Sequence, residues 1–263
     1  MNVSLLMLGS GTSQGVPAIG CRCETCLSDD PRDKRLRPSV LFTTGRSTLL
    51  VDTSSDFRQQ MLREGVRCID GVLYTHHHFD HIGGFDDLRQ FNFLQNTAMR
   101  IYGLQNTLDE VRLTFRYAFG DALQLGGGVP STILHAVKPA IPFSIDAATV
   151  TPIPVMHGVL PILGYRVGDI AYITDTNHIP ETSFQLLEGL DVLVLDALRH
   201  KEHPTHFCLD EAIEIARRIG ARKTWFTHIA HNIMHERDSA LLPENMDFSY
   251  DGLLITSERG SHD

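Results

Sequence analysis

Thr75-His76-His77-His78-Phe79-Asp80-His81 is the stretch on which the reading of this chain turns. It contains the pattern His-x-His-x-Asp-His, directly after the apolar run Gly71-Val72-Leu73-Tyr74 and directly before Ile82-Gly83-Gly84, a tight turn. A strand that ends in three imidazoles and a carboxylate gathers metal donors at one point. Imidazole and carboxylate suit zinc, manganese or iron. One four-coordinate ion would be crowded by four ligands so close in sequence. Two adjacent ions fit the spacing better, with His76 and His78 on one and Asp80 and His81 on the other. Ion pairs about 3.5–4 Å apart are a common device for phosphoester and other hydrolysis. The competing reading is a chance histidine-rich tract; the strand before the run and the turn after it argue against that.

Outward from this run, short segments rich in β-branched and aromatic residues predict strands over 3–8, 40–44, 48–51, 71–74, 100–102, 132–136, 149–153, 163–167, 170–174, 192–195, 223–226 and 253–255. Helical periodicity marks 57–64, 85–93, 108–119, 182–187 and 209–219. In the last of these Leu209, Ala212, Ile213, Ile215, Ala216 and Ile219 form an apolar face. Asp210-Glu211 at its start and Arg217-Arg218 at its end match the helix dipole. Strands alternating with helices predict a layered α/β protein with sheets inside and helices outside. The donors then fall into a pattern. His76 follows the 71–74 strand, Asp175 follows 170–174, His228 follows 223–226 by one Thr, and His157 follows 150–156. Donors at the ends of separate strands point to one edge of the sheets, where α/β proteins usually build their sites.

Lys and Arg number 23 against 32 Asp and Glu, a formal net charge of −9. That balance argues against a stable nucleic-acid complex, which needs excess cations at phosphates. It leaves room for a small anionic substrate, because bound metals supply local positive charge. The start, Met1-Asn2-Val3-Ser4-Leu5-Leu6-Met7-Leu8, reads as a strand and lacks the features of a signal peptide. No stretch approaches about 18 apolar residues, so no membrane span is expected. Three of the five cysteines, Cys21, Cys23 and Cys26, lie within six residues; this looks like metal binding in a reducing cytoplasm and not a disulfide framework. A closed zinc site needs a fourth donor, for which Cys68, Cys208, His231 and His235 are the candidates; Cys68 and Cys208 otherwise read as core residues. The Gly9–Ser13 loop of Gly, Ser and Thr is a weak phosphate signal without a following Gly-Lys. Arg32, Lys34, Arg35 and Arg37 read as a solvated face that can also attract an anion. His200, His203 and His206 precede the 209–219 helix, whose start Thr205 or His206 could also cap.

At this point the residues resemble a known family. The His-x-His-x-Asp-His run is similar to the signature of the metallo-β-lactamase superfamily. Leu8-Gly9-Ser10-Gly11-Thr12-Ser13-Gln14-Gly15-Val16-Pro17, Gly20-Cys21-Arg22-Cys23-Glu24-Thr25-Cys26 and Thr227-His228-Ile229-Ala230-His231 resemble, within it, the phosphodiesterase group that contains the phosphoribosyl 1,2-cyclic phosphate phosphodiesterase. The resemblance implies a four-layer αβ/βα sandwich, a single domain over 1–263 with a zinc-binding loop insert at about 9–38, and a homodimer. It implies two divalent ions, zinc or manganese, in a dinuclear site. His76, His78 and His157 would hold one, Asp80, His81 and His228 the other, and Asp175 would bridge them. It implies that Asp52 buttresses a ligand, although capping near Thr53-Ser54-Ser55 explains it almost as well. It favours His231 as the fourth ligand of a structural zinc with Cys21, Cys23 and Cys26, and His206 as general acid, with His203 as the alternative. Two features depart from the pattern: His77 stands where an aromatic is often found, and the span from His81 to His157 is long, with Gly126-Gly127-Gly128-Val129-Pro130 inside it as a lid or dimer contact.

The leading expectation is a metal-dependent phosphodiesterase acting on a small, even cyclic, phosphodiester, with Asp80 and His206 as catalytic residues. A thioester hydrolase, a lactonase or an RNA-processing nuclease on the same site is the alternative. A non-catalytic metal-binding protein is a third, disfavoured because all seven ligands are present.

Overall fold

The computed structural model describes residues 3–45, 47–120 and 128–257. In chain order its elements begin with β1 (Val3–Gly9), α1 (Glu24–Leu27), β2 (Ser39–Thr44), β3 (Ser47–Val51), α2 (Phe57–Glu64), β4 (Gly71–Leu73), α3 (Phe79–Ile82), α4 (Leu88–Gln95), β5 (Met99–Gly103), α5 (Gln105–Thr114) and β6 (Thr132–Ala136). They continue with β7 (Phe143–Ile145), β8 (Ala148–His157), β9 (Leu160–Val167), β10 (Ile170–Ile173), α6 (Glu181–Phe184), β11 (Val192–Asp196), α7 (Leu209–Ile219), β12 (Lys223–Thr227), α8 (His235–Ser239), β13 (Met246–Phe248) and β14 (Leu254–Thr256). Two seven-stranded sheets result, ordered β14-β1-β2-β3-β4-β5-β6 and β13-β12-β11-β10-β9-β8-β7.

The alternation of side chains along a strand divides the apolar residues into three buried layers. Leu5, Met7, Leu49 and Val51 from the first sheet meet Tyr165, Tyr172, Val192 and Val194 from the second. The intervening residues face outward: Leu8 and Leu50 pack with Phe57, Met61, Leu88 and Leu108 of α2, α4 and α5. Leu193 and Leu195 pack with Leu209, Ala212 and Ala216 of α7. Three apolar layers between helix, sheet, sheet and helix make the four-layer αβ/βα sandwich. No helix among the described residues is long and apolar enough to cross a membrane.

β3 to β6 run parallel, as do β10 to β13. The C-terminal ends of each set therefore emerge on one side. Across the gap Tyr165 Oη donates to Tyr74 O at 2.7 Å and Leu163 N to Thr75 O at 3.1 Å. These two bonds fasten the second sheet to the segment that carries the histidine run.

The structure departs from the sequence expectations where elements are short. β7 and β13, three residues each, are too brief to show alternation. The helix expected over 108–119 lies at Gln105–Thr114 and tightens to a 3₁₀ turn at Arg116–Ala118. The glycine run expected as a lid or contact lies partly outside the described residues, at 126 and 127. The basic stretch is only in part a solvated face: Lys34 is exposed, but the arginines are engaged. Arg35 is fully buried, donating to Ala230 O at 3.2 Å, Ile233 O at 3.0 Å and Asp33 Oδ1 at 2.7 Å. Arg32 and Arg37 pair with Asp30 and Asp56. Cys68 is exposed and not a core residue, whereas Cys208 is buried at the start of α7.

The turn after the histidine run requires glycine for close approach. A Cβ on Gly84 would lie 2.4 Å from Ser54 O and from Phe57 Cβ. Gly84→Ala is expected to cost about 1–3 kcal/mol in urea denaturation, as overpacked positions do. Gly120→Ala, whose added atom would meet Arg116 O only at 3.8 Å, is expected to stay within about 0.5 kcal/mol.

Candidate metal centre

The strand ends supply the side chains that the sequence singled out. Asp52 follows β3, Thr75 and His76 follow β4, Asp80 and His81 sit in α3, and His157 ends β8. Asp175 follows β10 and His228 follows β12. Asp52, Asp175 and His228 all adopt left-handed backbone, with φ of 62°, 55° and 61°. Such conformations cost non-glycine residues about 1–3 kcal/mol and gather at functional sites.

His76, His78 and His157 bring their donor atoms within 4.8 Å of one another, and Asp80, His81, Asp175 and His228 do the same. Asp175 faces both sets. Its Oδ2 lies 3.8 Å from His76 Nε2 and 3.3 Å from His81 Nε2, and its Oδ1 lies 3.2 Å from His228 Nε2. Asp80 Oδ2 is 3.3 Å from His81 Nε2 and 4.0 Å from His228 Nε2.

Neighbouring acceptors fix the imidazoles. His81 Nδ1 donates to Asp52 Oδ2 at 2.7 Å, and that carboxylate also accepts Thr75 N at 2.9 Å and Thr75 Oγ1 at 2.8 Å. Since the Thr75 hydroxyl donates to Asp52, it accepts from His76 Nδ1 at 3.0 Å. His157 Nδ1 donates to Thr205 O at 2.9 Å. Each of these rings is thus held with its Nε2 turned into the site, the arrangement metal-binding histidines use. Capping does not account for Asp52: its two oxygens are spent on Thr75 and His81.

The chemistry of the donor set fits a cation. The Nε2 atoms of His76, His81 and His228 are buried without a hydrogen-bond partner, an arrangement that is costly unless something satisfies it. Burial pushes His76 well below the usual imidazole range and lowers His78 and His157, so these rings are neutral donors. Burial pushes His81 down too, yet Asp175, Asp80 and Asp52 together hold it well above its ordinary value. The pocket carries surplus negative charge.

Asp196, which the sequence reading passed over, joins the group. It is fully buried at the end of β11 and accepts from His206 Nδ1 at 3.2 Å and from Thr176 N at 3.1 Å; its Oδ1 stands 3.6 Å from His228 Nδ1. The signal was available, since an apolar run closed by Asp also marks Asp52 and Asp175. Burial alone lowers His206, but the Asp196 carboxylate outweighs it and the imidazole titrates above its ordinary value. The His206 ring stacks on His228 at 4.8 Å and meets His157 edge-on at 4.7 Å. His203 lies 5.0 Å from His206. Neither Thr205 nor His206 caps α7; Cys208 does.

A second donor set stands apart. Cys21, Cys23 and Cys26 place their sulfurs 3.2, 3.4 and 3.6 Å from His231 Nδ1. The Cys26 N–H lowers the Cys23 thiol to about 7 against burial, while burial raises Cys26 to about 11. Of the other fourth-donor candidates, Cys68 is exposed and Cys208 caps α7. His235 packs edge-on against Phe248 and Tyr250.

Comparison with known proteins gives this geometry a context. The family model for the beta-lactamase superfamily domain matches residues 47–229. An octanoyltransferase of Porphyromonas gingivalis is 41% identical over 97% of this chain, but the chain spans only about half (52%) of that protein's length. A ribonuclease Z of Methanopyrus kandleri is 26% identical, over 79% of this chain and 85% of the relative. Among solved structures, a diphosphatase from the PhnP family superposes with a TM-score of 0.91 at 42% identity over 97% of both chains. Zinc-bound PqqB from Methylobacterium extorquens shares the fold, with a TM-score of 0.77 at 20% identity over 96% of this chain and 99% of that one.

Asp52→Ala would strip three buried donors of their acceptor. It is expected to destabilise the chelator-treated protein by about 3–5 kcal/mol in urea titrations, the range found when one partner of a buried ion pair is removed.

Proposed function

The chain belongs to the beta-lactamase superfamily, and from that premise we propose that it is a metal-dependent hydrolase of small phosphoric esters, phosphodiesters first. His76, His78 and His157 would hold one divalent ion, Asp80, His81 and His228 a second, with Asp175 between them. When bound, such ions supply positive charge against the phosphoryl oxygens and acidify water. The ligand set suits zinc and manganese alike. Asp52 holds the His81 and Thr75 orientations. The carboxylates of Asp80 and Asp175 offset part of the cationic charge.

The observation that carries the phosphoryl reading is His206. Its Nδ1 is occupied by Asp196, its pKa is raised, and its donor atom lies within 4.8 Å of those of His157 and Asp175. A protonated imidazole so placed gives its proton to a departing alkoxide, the step that a poor leaving group needs. A lactone or thioester needs it less. His203, partly exposed and lowered by burial, lacks a carboxylate partner of this kind. The relative described as a diphosphatase supports P–O cleavage as the chemistry and adds phosphoric anhydrides to the candidates. The octanoyltransferase name belongs to a protein about twice as long, so it bears on an acyl substrate here only as a reading to be tested.

Hydrolysis of bis(p-nitrophenyl) phosphate by protein reconstituted with Zn²⁺ or Mn²⁺ is the deciding measurement, with a nucleoside diphosphate and an octanoyl thioester alongside. Metal-dependent turnover of a phosphoric substrate is expected, and Asp80→Ala is expected to abolish it. Protein shown to hold both ions yet inert on every phosphoric substrate would sink the reading. His206→Gln is expected to lower kcat about 10²–10⁴-fold on alkyl diesters and much less on the p-nitrophenyl ester, whose leaving group departs without a proton. The cysteine cluster is proposed to hold one zinc. Cys26→Ser is expected to lower metal content by about one equivalent in elemental analysis and to lower Tm, because such sites contribute folding energy.

A further inference from the structure

The Gly9–Ser13 loop has no role in the chemistry above, yet it borders a cavity of about 230 Å³. Thr12 and Ser13 line the cavity from that loop, Gln14 from just after it, His203 and His206 from the 198–206 segment, and Asn232 from the segment after His228. We propose that this cavity is the leaving-group subsite, that it takes a small hydroxyl-bearing alcohol, and that Gln14 and Asn232 are its specificity-determining residues. The proposal rests on the phosphoryl-hydrolase reading.

The placement follows from His206. That imidazole lines the cavity, and its donor atom lies within 4.8 Å of those of His157 and Asp175. A group attached to a phosphorus held among those donors therefore occupies the space beside His206. The chemistry of the walls then selects. Hydroxyls, side-chain amides and an imidazole offer both donors and acceptors, and no carboxylate lines the space. Arg199 adds a positive charge while its guanidinium is tied to Lys201 O and Glu202 O, both at 3.0 Å. The apolar side chains are only Leu198 and Ala230. An acyl chain entering here would strip water from polar groups without replacing their hydrogen bonds, which is unfavourable. A polyol replaces them. The volume is below the roughly 300–1,000 Å³ common for ligand pockets, which suits a small alcohol and not a macromolecule.

The wall is also built in place before any ligand arrives. Thr12 N donates to Ile229 O at 3.3 Å, Gly15 N to Thr12 O at 2.8 Å, and Ile229 N to Ser10 O at 2.9 Å. Arg37 Nε donates to Ser13 O at 2.9 Å. His231, which the cysteine sulfurs surround, lies in the same wall. The loop bearing the cysteines is thus the loop that shapes the subsite; Gln14 lines it from that loop and Asn232 from the segment after His228, and both residues are exposed.

The test compares two diesters in the metal-loaded protein: glycerophosphoglycerol, whose leaving alcohol carries hydroxyls, and bis(p-nitrophenyl) phosphate, whose leaving group does not. Gln14→Ala and Asn232→Ala are each expected to lower the ratio of kcat/KM between the first and the second by about three- to tenfold, the scale of one lost hydrogen bond, mainly through KM for the glycerol diester. A ratio that stays at the wild-type value in both variants overturns the subsite while leaving the hydrolase reading intact. Wild-type protein that holds both ions and cleaves neither diester overturns the subsite, and the hydrolase reading falls with it when the nucleoside diphosphate is left intact as well. Wild-type protein that cleaves an octanoyl thioester faster than either diester also overturns the subsite.

Discussion

Carboxylates taken out of water must be given partners, and this molecule is arranged around four of them. Asp52, Asp175 and Asp196 are buried at strand ends, and Asp80 joins them from the first turn of α3. A buried carboxylate is stable only when paired and hydrogen-bonded. Here the partners are imidazoles drawn from the end of β4, α3, β8, the end of β12 and the segment before α7. Because β3, β4, β10, β11 and β12 all direct their C-terminal ends to one side, the fold concentrates acids there. The histidines, the threonine at 75 and the left-handed backbone at three positions follow from that concentration.

The cost of this arrangement is met by the layers behind it. Three apolar layers hold the strand ends in register, and the two bonds from β9 to Tyr74 and Thr75 set the distance between the sheets at the site. The rings are consequently oriented by groups that belong to the framework. His157 depends on a carbonyl in the 198–206 segment, and His206 on the last residue of β11.

Much of this was legible in the sequence because the signals are local. The histidine run, the apolar strand before it and the strong 3.6-residue pattern of α7 each lie within a dozen residues. Asp175, His157 and His228 were readable from their position after apolar runs, and the resemblance assigned their roles. What was missed has a common cause. Asp196 looked like the end of one more strand, and only the approach of His206 and His228 shows what it does. Arg35 looked like one of a run of surface cations. Its burial depends on Asp33 and on carbonyls at 230 and 233, some two hundred positions away. β7 and β13 have no pattern to read, since three residues at a sheet edge take their conformation from the neighbour they pair with.

β1 lies between β2 and β14, pairing Ser4 with Thr43 on one side and with Thr256 on the other. The segment that follows it is bound to residues 229–235 through Ile229, Arg35 and Asp33. The histidine run gathers four of the seven proposed donors close together in sequence, whereas the N-terminal loop takes its anchor from residues 229–235. Among the described residues, one side of β1 is covered by β14 alone, Leu254–Thr256. Removing β14 would therefore leave β1 as an unpaired edge, a row of backbone donors and acceptors open to a strand from another molecule.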